Sequence, residues 1–210
     1  MTTLTTKGMI VVGVAVLGAI GFFSYQRAHV YKAGASAAPV QQAQAAVDDG
    51  TPINACALLS ADEVSAVVGA KVSAGQRRDD GEVGGKSEYA PVGTYSSTCF
   101  WRFEADIGTE PDPQLPMGGM RFAILNAMVW PASTDAAKFL QSFHDAFKEE
   151  IIPSEPIPVQ IGDEGMWWGD GVAVRKAAKT FGISVFLQNG DKPSQRKMEE
   201  ALARKIEPRV

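Results

Sequence analysis

Asn54-Ala55-Cys56-Ala57-Leu58-Leu59-Ser60-Ala61-Asp62-Glu63-Val64 opens the foldable part of this chain. Ser60 followed by Glu63 is a capping box: the hydroxyl accepts from the amide of residue 63, and the Glu63 carboxylate reaches back to the amide of Ser60. Leu59 and Val64 fall at the two positions of a hydrophobic staple, which sets the angle at which the chain enters the helix. Val64, Val67 and Val68 share one face and Gly69 ends the run. The spacing predicts a short helix of about ten residues with one buried stripe. Such a helix is marginal alone.

Cys56 sits just before this helix, and the chain's other cysteine is Cys99. The two are either buried thiols or one disulfide, and the compartment decides, because disulfides persist outside the cytoplasm and are rare within it. Upstream, Lys7 precedes an uncharged run from Gly8 to Tyr25, rich in Val, Ile, Leu and Phe and closed by Arg27. At about eighteen residues it is just long enough to cross a bilayer. The Ala-x-Ala-like site that follows, Ala35-Ser36-Ala37, lies beyond Arg27, His29 and Lys32, too far from the apolar core for ordinary processing. We therefore read residues 1–32 as an uncleaved anchor, a single crossing of the cytoplasmic membrane. Lys7 and the amino terminus on one side nearly balance Arg27 and Lys32 on the other, so the positive-inside rule does not orient it. Pairing of the cysteines places the amino terminus in the cytoplasm and the bulk of the chain outside. If paired, they close a loop from 56 to 99, for which chain entropy gives about 4 kcal/mol.

Residues 33–52 are rich in Ala, Gln and Gly, with Pro39 and no aromatic side chain. This is the composition of a flexible linker. It leaves 53–210 as one domain of ordinary size. Three of the chain's 20 basic residues and none of its 24 acidic ones fall before position 33, so the remainder carries seven more acids than bases. That excess argues against nucleic acid as a partner.

Within the domain, Lys71 to Ala74 is a possible strand start, and the polar stretch from Gly75 to Tyr95 reads as a long exposed loop, either disordered or functional. At Ser97 the pattern alternates: Cys99, Trp101 and Phe103 point one way, and Phe100, Arg102 and Glu104 the other. Met120 to Trp130 is apolar on both faces, interrupted by Asn126, and reads as a central strand. Ser133 is a candidate cap for a helix bearing Ala136, Phe139, Leu140, Phe143 and Phe147 on one stripe. Ile161 to Trp168, Val172 to Lys176 and Thr180 to Leu187 are separated by turn residues, which makes an antiparallel run. Pro193 opens a closing helix whose buried face is Met198, Ala201, Leu202 and Ile206. The fold class is α+β: an antiparallel sheet with helices packed on it, preceded by one N-terminal transmembrane helix.

Candidate chemistry is sparse. His29 and His144 are far apart in sequence and make neither a metal site nor a triad. No Gly-Lys-Ser/Thr phosphate loop is present, and no cofactor is expected. Asp163, Glu164 and Asp170 lack the alternating oxygen ligands of a calcium-binding hand. The adjacent acids Glu149 and Glu150 point in different directions on a helix and do not share a proton. Trp167 and Trp168 stand beside the Gly169-Asp170-Gly171 turn, where successive strand residues face opposite sides, so one packs inward while the other reaches the surface. An exposed Trp there would contact a sugar, a peptide or a protein.

The stretches Ala55 to Val64, Ser97 to Trp101, Ile161 to Gly165 and Val174 to Lys176 are together similar to a broad set of bacterial exported proteins of unknown function. These include small actinobacterial lipoproteins that open with a cysteine, two leucines and a Ser/Thr-capped helix. The resemblance spans roughly residues 54 to 206 and implies an exported α+β domain, related to the PsbP-like sandwich, with Cys56 and Cys99 bridged. This chain departs from those lipoproteins in having an apolar anchor and no lipidated cysteine, and the set carries no agreed activity. The expectation is a non-enzymatic binding or accessory module of the cell envelope, its partner an envelope protein or glycan. Its contact surface is read as Trp167, Trp168 and Asp170 together with the Gly75 to Tyr95 segment. The alternatives are an envelope hydrolase using Asp163 and Glu164, and an inhibitor of an exported toxin.

Overall fold

A computed structural model describes residues 52–85, 90–110, 116–188 and 190–210. The apolar run Gly8 to Tyr25 and nearly all of the linker lie outside the described residues, and among those described no helix is long and apolar enough to cross a membrane. The elements are α1 (Ala55–Leu58), α2 (Ala61–Val68), β1 (Gln76–Glu82), β2 (Tyr95–Arg102), β3 (Phe122–Val129), α3 (Ser133–Lys148), β4 (Ile157–Pro158), β5 (Glu164–Trp167), β6 (Val172–Lys176), β7 (Lys179–Phe186) and α4 (Lys192–Ile206). The strands form one antiparallel sheet in the order β1-β2-β3-β7-β6-β5-β4. This is the expected α+β architecture, and β3 is central as read.

The opening stretch folds as its sequence dictates. Ser60 accepts from the Glu63 amide at 3.2 Å and the Glu63 carboxylate accepts from the Ser60 amide at 3.0 Å. Leu59 and Val64, the staple pair, are both buried, and Gly69 ends α2 in the left-handed conformation. Cys56 and Cys99 are joined in a disulfide that ties α1 to β2. Beside it the Ala55 amide donates to Ser97 Oγ at 2.9 Å.

Alternation along the strands sends one set of side chains into the main core. Cys99, Trp101, Leu125, Val172, Val174, Phe181, Ile183 and Val185 meet Leu59, Val64 and Val68 from the amino-terminal helices and Leu202, Ala203 and Ile206 from α4. On the opposite face α3 covers only part of the sheet, laying Leu140 and Phe143 against Met166 of β5 and Ala173 of β6. Away from α3, Phe100, Phe122 and Ile124 form a separate buried cluster, with Phe186 packed against it.

Four readings are corrected. The segment from Gly75 to Tyr95 is not one long loop: Gln76–Glu82 is the edge strand β1, paired with β2 through a register shift between Arg78 and Gly81. Its charged residues hide the usual alternation, and charge is what suits a sheet edge that must not recruit another chain. Lys71 to Ala74 contributes a single bridge, Val72 to Phe103. Ala132, not Ser133, caps α3, and no side chain bonds its first turn. The buried stripe of α3 is Ala136, Leu140, Phe143 and Ala146, while Phe139 and Phe147 are half-buried at its margins.

Candidate functional site

The Trp167 to Gly171 turn is gripped by α4. Trp167 faces the main core, and its indole Nε1 donates to Glu199 Oε2 at 2.8 Å. Glu199 Oε1 accepts from the Val185 amide and from Gln195 Nε2, both at 3.0 Å. The Val185 amide needs such a partner because β6 has already ended there, its first residue, Val172, pairing with Ile183. Glu199 therefore stands in for a missing strand neighbour. It is fully buried, and burial pushes its carboxyl up to about 7 despite three donors that favour the charged form. At the tip of the turn, Lys192 binds the Asp170 carboxylate and donates to the Gly169 carbonyl at 3.1 Å. Trp167 and Asp170 are thus committed inside the molecule. Trp168 points to the other face, half-buried beside Phe143 with ring centroids 5.7 Å apart.

The acids proposed for hydrolysis do not stand free. Arg175 draws both to itself, bonding Glu164 at 3.2 Å and Asp163 at 3.3 Å. Asp163 also accepts from the Ala177 amide at 2.7 Å, where Ala177 sits at φ 53° in the β6–β7 turn. These carboxylates pin a hairpin whose turn residue is in a conformation that L-residues disfavour. Glu149 and Glu150 are exposed at the end of α3, and His144 is half-buried along it. No group of three or more His, Cys, Asp or Glu side chains placed to hold a metal ion occurs among the described residues.

The arrangement with open chemistry lies on the face that α3 half covers. Register aligns Thr98, Asn126, Gly182, Ala173 and Met166 in a row across five strands. At one end are the aromatic rings of Phe100, Phe122 and Phe186, with centroids 4.8 and 4.5 Å apart. At the other are Trp130, Phe139, Phe143 and Trp168, in sequence at 5.2, 5.6 and 5.7 Å. Between them the floor is bare at Gly182, where an added Cβ would meet nothing nearer than the Val172 carbonyl at 3.9 Å.

Two buried polar side chains flank this floor on the same face. Asn126, only 8% exposed, spends both amide hydrogens inward, donating to Ser96 Oγ and Thr98 Oγ1 at 3.0 Å each. Its Oδ1 has no hydrogen-bond partner among the described residues. Ser184, 2% exposed and two residues from Gly182 on the same face, has a hydroxyl that likewise lacks a partner among the described residues. Neither oxygen is wholly sealed, since every fully buried side-chain polar atom among the described residues has a partner. Trp168 reaches the same place: a side chain at Gly171 would collide with Ser184 Oγ and lie 3.1 Å from the indole Nε1 of Trp168.

Of the residues expected to form a contact surface, Trp168 lies on this face, and Arg78 of the Gly75 to Tyr95 segment stands at its rim over the Phe100 ring. Asn126 announced itself as a polar break in an apolar strand, but Gly182, Ser184 and Thr98 carried no mark, because they meet only through strand pairing. No family model, curated protein or solved structure matches the chain.

Proposed function

We propose that this protein is a membrane-anchored, non-enzymatic binding or accessory module of the bacterial cell envelope. Gly8 to Tyr25 forms its single crossing of the cytoplasmic membrane, and residues 53–210 stand outside. The Cys56–Cys99 disulfide supports an oxidising compartment. The observation that carries the binding role is the sheet face left bare at Gly182, which we read as a cleft, with Asn126 Oδ1 and Ser184 Oγ beside it unpartnered among the described residues. Buried polar atoms are normally paired within the protein, and two unpaired ones on one face are what a ligand would satisfy. Binding is favoured over hydrolysis because, among the described residues, the Ser184 hydroxyl has no hydrogen-bonded base to activate it, and Asp163 and Glu164 are held by Arg175.

The test is photo-crosslinking in living cells with benzoylphenylalanine placed at Phe139, a half-buried ring at the margin of this face, and at exposed Glu149 as control. An adduct with an envelope component that forms at 139 and not at 149 is expected. Equal labelling at both positions, or none at 139, overturns the assignment of this face. Mass spectrometry of the same extracted protein, alkylated without reduction, should return a linked Cys56–Cys99 peptide together with the intact apolar segment. Two alkylated thiols would overturn the topology.

A further inference from the structure

Resting on the reading of this cleft as a binding site, we infer that its ligand is a neutral, hydroxyl-bearing carbohydrate, a short stretch of envelope glycan. The polar atoms offered are an amide oxygen, which only accepts, and a hydroxyl, which donates or accepts. A ligand must therefore bring at least one donor to Asn126 Oδ1 and a donor or acceptor to Ser184 Oγ. Diagonal neighbours on adjacent strands stand about 7 Å apart, which suits two substituents of one sugar ring or of two linked rings.

Charge and shape narrow the class. Thr98, Asn126, Gly182, Ala173, Met166 and Ser184 include no ionised side chain, so an ion placed on them would lose its water with no charge among these six to replace it. Arg78, at the β1 rim, is turned over the Phe100 ring at 5.3 Å and donates to Gln76 at 3.3 Å. An acyl chain would leave Asn126 Oδ1 and Ser184 Oγ buried without partners. An extended peptide would bring an N–H and a C=O at every residue, while the backbone groups of β2, β3 and β7 are spent on their own ladders. A sugar ring does neither: its lower hydroxyls meet the two oxygens, its upper ones stay in water, and its C–H face rests on the bare Gly182–Ala173 floor beside the Trp168 indole.

The experiment uses the full chain extracted in a polyoxyethylene detergent, which has no sugar headgroup. N-acetylglucosamine trimer and maltotriose are titrated while tryptophan emission and calorimetric heat are followed. At least one of the two sugars is expected to bind and to perturb the emission, and W168F should abolish most of that perturbation. S184A should weaken binding about tenfold, the equivalent of one neutral hydrogen bond. G182V should remove detectable binding by filling the floor, with an unchanged melting temperature to show that the sheet is intact. Failure of both sugars to bind, or binding that G182V leaves untouched, overturns the carbohydrate assignment. In that case an adduct at position 139 consisting of protein or lipid keeps the binding face and rejects its sugar ligand. Absence of any adduct there rejects the face itself.

Discussion

An acid occupies a place in α4 where helical spacing calls for an apolar side chain. Gln195, Glu199, Leu202 and Ile206 are the buried stripe, whereas Met198 and Ala201, expected inside, are half-buried. Burial of Gln195 and Glu199 was not legible in the sequence, because partners of Glu199 come from β5 and β7, and the apolar Met198 and Ala201 looked better. The consequence is a pH dependence with a definite sign. The carboxyl of Glu199 is at about 7 when folded and near 4.5 when not. Between those values the folded state holds a proton that the unfolded state has lost. Its contribution is complete below pH 4.5 and fades as pH rises through 7, by about 3 kcal/mol. Chemical denaturation at pH 5 and pH 8 should show the acidic sample as the more stable. The other charged groups beside it are Lys192, near Gln195, and Arg196, over the Trp167 ring. In E199Q an amide N–H₂ must face a donor, so stability falls by about 1–3 kcal/mol and the slope between pH 5 and 8 flattens. An unchanged slope would show that another group titrates.

Elements with strong local signals were readable, and those specified by their neighbours were not. The helix α2 was legible to the residue because cap, staple and terminator all lie within ten positions of one another. The strand β1 was not, because Gln76 to Glu82 owes its conformation to β2 and not to an apolar face of its own. Even α2 has a tertiary component that its sequence hides. Arg209, in the last turn of the chain, bonds both Glu63 oxygens, at 2.6 and 2.9 Å, and the Leu58 carbonyl at 2.9 Å. The guanidinium, aided by the Ser60 amide, holds the Glu63 carboxyl down at about 2. This group runs opposite to Glu199: its contribution is present above pH 4.5 and is lost as pH falls towards 2. Because Ser60 and Arg209 meet on one carboxylate, their effects should not add. S60A is expected to cost about 1 kcal/mol and R209A no more than about that, given its exposure. The double variant should deviate from the sum by about 0.5 kcal/mol or more. Strict additivity would mean that the capping box holds its shape without the carboxy-terminal clasp.

At the scale of the molecule, the class of fold and the interior place of β3 were legible, since both follow from periodicity, whereas the residues alone left the two cysteines as thiols or a disulfide and the structure joins them. The cleft was not legible, because Thr98, Asn126, Trp168, Gly182 and Ser184 come from four separate stretches that only strand register brings side by side. The disulfide determines how firmly the amino-terminal helices are held to that sheet. Cys56 and Cys99 are 43 residues apart, and Cys99 is buried in the main core. On the chain-entropy account, closing such a loop removes about 4 kcal/mol of unfolded-state freedom. Most of the gain then comes from the denatured chain, because the folded contacts around Ala55 and Ser97 persist when the sulfurs part. Urea unfolding with and without reductant separates the two origins. The reduced protein should unfold about 4 kcal/mol more easily and with a steeper dependence on urea, since its denatured state exposes more surface. A loss of stability with an unchanged slope would place the stabilisation in the folded state, in the seating of α1 against β2.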